Sequence, residues 1–171
     1  SILLRHYKTD WWGERVPVWG DEEPFVDPFP LVGPLETLIK AESMARVVVI
    51  NPFGSVLSQN KRSLAFMWEC LDRFSAPAQA VIRAHVPETF RLESMHVEQL
   101  VAEREAWVLK SDYGCEGDEV ICGRDVTDAT WTNALSLAVP GRWVVQRAFT
   151  PIAESDGTAV NYGVYVVAGV A

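Results

Sequence analysis

The sequence predicts one mixed domain, α+β or α/β, in which helices and strands alternate along the chain. Three observations support this prediction. A length of 171 residues suits a single domain, and 49% hydrophobic residues are enough to build a core. Apolar stretches with helical spacing alternate with short β-branched runs that are typical of strands. No internal repeat or low-complexity segment interrupts this order.

The first third of the chain is predicted to hold two strands with a loop and a helix between them. Ile2 to Tyr7 favours a strand, whereas the prolines and acids of 21–34 favour a surface loop. Pro34 suits the first turn of a helix, which the spacing of its apolar residues continues. The apolar run 47–50 then predicts a buried strand.

A long helix is predicted after the turn at residues 51–54. Ser55 can cap it, and it is expected to run to about Phe74. Helical spacing places four side chains on its core face: Leu57, Leu64, Trp68 and Leu71.

The second half of the chain is predicted to contain two helices and four strands. A short helix is expected around residues 97–101, and a longer one over 127–139 that Pro140 and Gly141 end. The predicted strands are 106–111 and 118–122, which flank a glycine-containing loop, and then 142–149 and 159–168.

Charge and composition exclude several classes of function. The net charge of −8 and a pI near 4.9, without a run of lysine or arginine, argue against nucleic-acid binding, which needs clustered cations. No stretch approaches the roughly 20 apolar residues of a membrane helix, so no membrane partner is expected. Three widely spaced cysteines predict a reducing, cytoplasmic location rather than disulfides or a zinc site.

Lys61 is the first candidate binding residue. It lies four residues after Leu57 and three before Leu64, so a continuous helix would place it along the apolar face. A cation in that position favours an anionic ligand. The alternative is a lysine whose stem crosses the core edge and whose ammonium reaches water.

The segment from Lys110 to Gly117 is the second candidate. Gly114, Cys115, Glu116 and Gly117 form a glycine-containing loop after the strand that Lys110 ends. Glycines let main-chain amides approach a phosphate closely, and Lys110 would add a point charge. The alternative is a hairpin loop in which glycine only supplies a positive φ.

Gln146 is the third candidate, on the face of its strand opposite Trp143 and Val145. An amide carries both a donor and an acceptor, as does the edge of adenine, although a glutamine facing solvent is the simpler alternative. Two lysines, a glycine loop and a strand amide, in this order along the chain, favour a nucleotide clamp.

Three blocks together resemble the ATP-grasp superfamily in its circularly permuted branch, and most closely the glutathionylspermidine synthases. Residues 58–68 resemble the family's Ser-Asn-Lys-Ala-Leu-Leu helix, 109–117 its Gly-Arg-Glu-Gly lid loop, and 145–149 its Gln-Glu-Phe strand. Residues 7–12 are similar in position to a Tyr-Pro-Trp-Glu-Trp stretch, and 161–167 to a Gly-Ser-Trp strand.

The resemblance implies a fold and a set of contacts. The fold would be an α+β ATP-grasp-like fragment with antiparallel and mixed sheets, incomplete at both ends. Lys61 and Lys110 would contact ATP phosphates, and the loop from Gly114 through Cys115 and Glu116 to Gly117 would close over them. Gln146, with the main chain of Ala148, would hold adenine, and Phe149 would line its pocket.

The resemblance also implies an activity and a division of the chain. Such enzymes use ATP and Mg²⁺ to join a small peptide or amino-acid carboxylate to an amine through an acylphosphate. The fragment would comprise a strand-helix part (about 1–90), a lid-like part (about 91–150) and return strands (151–171). The apolar ends suggest an oligomer formed through an exposed sheet edge.

The chain departs from the family at Cys115, where an arginine is expected, and at Arg147, where an acid is usual. Catalytic residues and metal ligands have no assigned positions. A non-catalytic nucleotide-binding or interaction domain derived from an ATP-grasp enzyme is therefore the alternative function.

Overall fold

The computed structural model describes residues 1–6, 12–13, 16–115 and 117–160. They form helices and short strands, which confirms the mixed α+β class. The strands are β1 (Ile2–Leu4), β2 (Val48–Ile50), β3 (Thr89–Arg91), β4 (Trp107–Ser111), β5 (Val120–Cys122) and β6 (Trp143–Arg147). The α-helices are α1 (Val32–Ser43), α2 (Ser55–Gln59), α3 (Arg62–Glu69), α4 (Ala76–His85), α5 (Val97–Ala102) and α6 (Asp128–Leu137).

The strands of the described residues form two sheets. β1 and β2 are parallel, with Ile2 opposite Val48 and Leu4 opposite Ile50. The other four strands form an antiparallel sheet in the order β3-β6-β4-β5. β6 is inserted between β3 and β4, although it follows both in the sequence. The two strands that carry Lys110 and Gln146 are therefore neighbours.

Most predicted elements lie where the sequence places them. The helix after the proline-rich loop is α1, the apolar run after it is β2, and the hairpin around the glycine loop is β4 and β5. The prediction that the run 47–50 is a buried strand is wrong, because Val48 and Ile50 are exposed and only Val49 of β2 is buried. Thr127 caps α6, because its hydroxyl accepts a 3.2 Å hydrogen bond from the main-chain N–H of Thr130. After that helix Gly141 takes a φ of +84°, which glycine adopts without steric cost.

The prediction of one helix from Ser55 to about Phe74 is wrong, because the chain leaves the helical conformation at Asn60. Asn60 has a ψ of 124°, and its side-chain Oδ1 accepts a 2.8 Å hydrogen bond from the main-chain N–H of Arg62. Such a local side-chain bond competes with the helical ladder. Leu57 is consequently not a core residue, since it is 73% exposed on α2.

Two elements have no counterpart in the sequence prediction. α4 buries Ile82 alone among its ten residues. β3 has three residues, which is too few to show the alternation that marks a strand. β3 pairs with β6 and packs against α3, so tertiary contacts support this short strand.

The core lies on one face of the four-stranded sheet, where α5 and α6 pack. Alternate residues of β4 and β6 point into it, and they meet two residues from the helices. The fully buried members are Leu100, Trp107, Leu109, Trp131, Trp143 and Val145. Side chains alternate along a strand, so Lys110 and Gln146 lie on the opposite face, as the sequence predicts for Gln146.

The predicted division of the chain near residue 90 falls inside β3, which pairs with β6. In the predicted return region Ala153 and Ala159 form an isolated antiparallel bridge. Residues 7–11 and 161–171, which include segments quoted for the resemblance and most of the last predicted strand, lie outside the described residues. None of the helices described is long and apolar enough to cross a membrane.

Candidate functional site

The break between α2 and α3 brings Lys61 to the glycine loop. The ammonium of Lys61 donates a hydrogen bond to the carbonyl oxygen of Gly114. The main-chain N–H of Lys61 donates a second one to the carbonyl oxygen of Asp112, at 2.8 Å. Two of the three sequence blocks, about fifty residues apart, therefore meet at one end of the hairpin.

The two glycines of the loop are required for different structural reasons. Gly117 has a φ of +88°, as the simple turn interpretation requires. Gly114 is needed for space instead, because a Cβ there would lie 2.8 Å from the carbonyl oxygen of Asp118. Its N–H donates a 2.9 Å hydrogen bond to the hydroxyl of Ser111, at the end of β4. The loop is thus folded tightly on the hairpin.

The remaining loop positions are partly described. Cys115 carries a free, half-buried thiol, and its carbonyl oxygen accepts a 2.9 Å hydrogen bond from the N–H of Asp118. Glu116 lies outside the described residues. Glu119 takes a φ of +54°, which is uncommon for a residue with a side chain and marks a sharp reversal of the chain.

Lys110 and Gln146 contact each other on neighbouring strands. The ammonium of Lys110 donates a 2.7 Å hydrogen bond to Oε1 of Gln146. Nε2 of Gln146 donates in turn to the hydroxyl of Thr89, at 2.9 Å. Gln146 is buried rather than facing solvent, so the simpler sequence alternative is wrong for it. Both ends of its amide are bonded within the sheet.

Burial changes the acidity of Lys110. Removal from water disfavours the charged form, so burial lowers the pKa of the Lys110 ammonium below its ordinary value. The neighbouring thiol of Cys122, on β5, acts in the opposite direction by favouring the charge. The net effect is a lowered pKa, and an anion that entered this face would raise it again.

Ala148 and Phe149 lie at a second location, beyond the end of β6. They line a cavity of about 390 Å³ together with Trp68 and Pro87, and neither lysine lines it. The N–H of Ala148 donates a 2.9 Å hydrogen bond to the carbonyl oxygen of Ala106. The ring of Phe149 is 63% exposed and so offers a free face. The contacts of the predicted residues therefore form three groups: Lys61 with the glycine loop, Lys110 with Gln146, and Ala148 with Phe149 at the cavity.

Asp112 is a central residue that the sequence does not single out. It is buried, and both its carboxylate oxygens accept hydrogen bonds from Nε of Arg142 at 3.2 Å. Asn60 donates to one of them at 3.5 Å. The sequence gives only a weak signal for this ion pair. It has one charged residue at each of two turns, Ser111-Asp112-Tyr113 and Pro140-Gly141-Arg142, and no pattern that indicates that the two residues pair.

No magnesium ligand is assigned among the described residues. They contain no group of three or more histidine, cysteine, aspartate or glutamate side chains able to hold a metal ion. The carboxylate of Asp112 is bonded to a guanidinium. No chemical step is therefore assigned to a metal ligand in this part of the chain.

A polyphosphate fits the donor set better. Lys61, Lys110 and the loop amides are the kinds of groups that bind phosphate oxygens in proteins. Each ammonium is hydrogen-bonded to a neutral oxygen, of Gly114 or of Gln146. A charged phosphate oxygen is a stronger acceptor than an amide oxygen, so it can replace either partner.

Comparison of the chain with protein-family models, with curated proteins and with solved structures found no match.

Proposed function

We propose that this chain is the ATP-binding portion of an ATP-dependent carboxylate-amine ligase of the circularly permuted ATP-grasp type. One observation carries the proposal. Lys61, from the block that resembles the family's lysine helix, bonds directly to Gly114, in the block that resembles its lid loop. Lys110 and Gln146, from the second and third blocks, meet in the same way across two strands.

In the proposed reaction the lysines neutralise the phosphates of ATP. Lys61 leaves the carbonyl of Gly114 and Lys110 leaves Gln146, and each ammonium then bonds a phosphate oxygen. The terminal phosphate passes to a small peptide or amino-acid carboxylate, an amine attacks the acylphosphate, and phosphate leaves as the amide bond forms. Charge neutralisation and positioning are the main tasks of a protein in phosphoryl transfer.

The adenine part of the proposal places the base at the end of β6. Phe149 offers an exposed ring for stacking, and the adjoining cavity has room for a base. Gln146 and the main chain of Ala148 would bond the base once their present partners, Lys110 and Ala106, release them. Magnesium belongs to the proposal as the ion that shields phosphate charge, with no ligand assigned among the described residues.

A second function is favoured by the same contacts. Both ammonium groups bond oxygens of the protein itself, as expected of a non-catalytic nucleotide-binding or interaction domain in which lysines tie segments together. A reducing cytoplasmic location is proposed for either function, since the three cysteines described are all free thiols.

Calorimetric titration with ATP, with and without Mg²⁺, tests the binding proposal. We expect Lys110→Ala and Lys61→Ala each to weaken binding about tenfold, the scale of one charged hydrogen bond. Lys40→Ala on α1 is the matched control and should bind normally. A folded wild-type chain that binds no ATP, or an unchanged affinity in both site variants, would overturn the assignment.

Trapping of the acylphosphate separates the two functions. Hydroxylamine converts an acylphosphate into a hydroxamate, so hydroxamate formed by a chain given ATP, Mg²⁺ and a panel of amino acids and small peptides would support the ligase function. If the chain binds ATP but forms no hydroxamate and releases no phosphate with any of these carboxylates, the non-catalytic function is favoured.

A further inference from the structure

Asp112 joins three separate segments of the chain. Its carboxylate is bonded by Arg142, which ends the turn before β6, and by Asn60, which lies between α2 and α3. Its own main-chain N–H donates to the carbonyl oxygen of Arg142 at 2.8 Å. Only 5% of its side chain and 16% of that of Arg142 are exposed, so this ion pair is shielded from solvent.

The same residue fixes the main chain of Lys61. The carbonyl oxygen of Asp112 accepts the N–H of Lys61, while its carboxylate accepts the amide of the preceding Asn60. The main chain of Lys61 is thus bonded to Asp112, which lies two residues before Gly114 in the sequence. Gly114 is the loop residue that the Lys61 ammonium contacts. The side chain of Asp112 also accepts a 3.0 Å hydrogen bond from the N–H of Tyr113, which shapes the entry to the loop.

We propose that Asp112 is a positioning residue of the nucleotide site, which acts by holding Lys61 against the glycine loop. The identity of the ligand, a nucleotide, rests on the proposed function. The contacts of Asp112 with Lys61, Asn60 and Arg142 do not depend on it. Asp112 itself does not contact the nucleotide, because its two oxygens are bonded to Arg142 and Asn60. Its charge holds the guanidinium, and the guanidinium orients the carboxylate toward the junction of α2 and α3.

A double-mutant cycle on ATP affinity tests the inference. Asp112→Asn keeps the size of the side chain and loses its charge, and we expect it to weaken ATP binding about fivefold, the scale of one net hydrogen bond. In the Lys61→Ala background the same substitution should cause no further loss. An equal loss in both backgrounds would show a general structural role and overturn the proposal.

Lysine acylation provides a readout that does not depend on ATP binding. Brief treatment with an acylating reagent, followed by mass spectrometry, gives the rate at Lys61 relative to the exposed Lys40 of α1. Asp112→Asn should raise this ratio several-fold, since it weakens the carboxylate's bonds to Arg142 and Asn60, which hold the main chain next to Lys61 in place. An unchanged ratio in a folded variant contradicts the positioning role.

The two measurements keep separate failures distinct. A wild-type chain that binds no ATP, yet shows the change in acylation, would refute the proposed function and support the positioning of Lys61. Arg142→Lys serves as the second variant if Asp112→Asn does not fold, because it keeps the positive charge but loses the fixed geometry of the guanidinium. It should raise the acylation ratio in the same direction, and an unchanged ratio counts against the inference.

Discussion

The ammonium of Lys110 donates a 2.7 Å hydrogen bond to the side-chain Oε1 of Gln146, across the adjacent antiparallel strands β4 and β6. Gln146 is buried, and Lys110 is partly withdrawn from water. A buried acceptor and a half-buried cation thus satisfy each other on the sheet face opposite the main core. The stability of the sheet should therefore depend on both side chains.

Replacement of Gln146 by leucine should destabilise the fold by about 1–3 kcal/mol, because Lys110 then loses its acceptor while it stays partly buried. The double variant Lys110→Met with Gln146→Leu should be more stable than Gln146→Leu alone, since two apolar side chains replace the polar pair together. Urea unfolding measures both free energies. A double variant that is less stable than Gln146→Leu would contradict this account.

The stability of the chain should depend on pH through Lys110. Burial lowers the pKa of this ammonium below its ordinary 10.5, so the unfolded chain binds more protons between the two pKa values. The free energy of unfolding therefore rises with pH in that interval. Lys110→Met should lack this rise, which urea unfolding at a series of pH values up to 10.5 would reveal as a widening difference between the two proteins. Parallel curves for the two proteins would refute it.

Arg142→Gln should destabilise the fold by about 3 kcal/mol, because it leaves the carboxylate of Asp112 buried without its guanidinium. The change also removes the 3.1 Å hydrogen bond from Arg142 to the carbonyl oxygen of Val16. The exposed Arg124 provides the control, and Arg124→Gln should change stability by less than about 0.5 kcal/mol. Thermal and urea unfolding measure both. Equal effects at the two positions would show that the ion pair adds no stability.

The two loop glycines should respond differently to alanine. Gly117→Ala meets no neighbouring atom and should cost about 1–2 kcal/mol, the strain of a left-handed conformation. Gly114→Ala places a Cβ 2.8 Å from the carbonyl oxygen of Asp118, so the loop must move and its contact with Lys61 is disturbed. Limited proteolysis of the loop should therefore accelerate in Gly114→Ala far more than in Gly117→Ala. The reverse order would contradict the structural roles assigned to them.

Elements with a strong local signal could be predicted from the sequence. The capped and periodic helix α6 and the alternating strands β4 and β6 are examples, because spacing and capping are encoded in neighbouring residues. The break at Asn60 could not be predicted in the same way. The local bond from the N–H of Arg62 to Asn60 is combined there with a distant one, because Asp112, more than fifty residues away, accepts the N–H of Lys61.

The site was predictable in part for the same reason. Alternation correctly placed Gln146 on the face opposite Trp143, but no pattern could show that Lys110 would occupy its amide. The ion pair of Asp112 and Arg142 joins two turns thirty residues apart, and two isolated charges carry no signal for pairing. Tertiary partners, rather than residue types, decided these contacts.

The strand order β3-β6-β4-β5 constrains how the chain can be assembled during synthesis. The hairpin of β4 and β5 can form as soon as Cys122 has left the ribosome, because its contacts are local. β3 is made earlier than this hairpin, but its one sheet partner among the described strands is β6, which arrives later. The edge of β4 that pairs with β6, and the edge of β3 that does so, therefore stay open to other chains until Trp143–Arg147 has been translated.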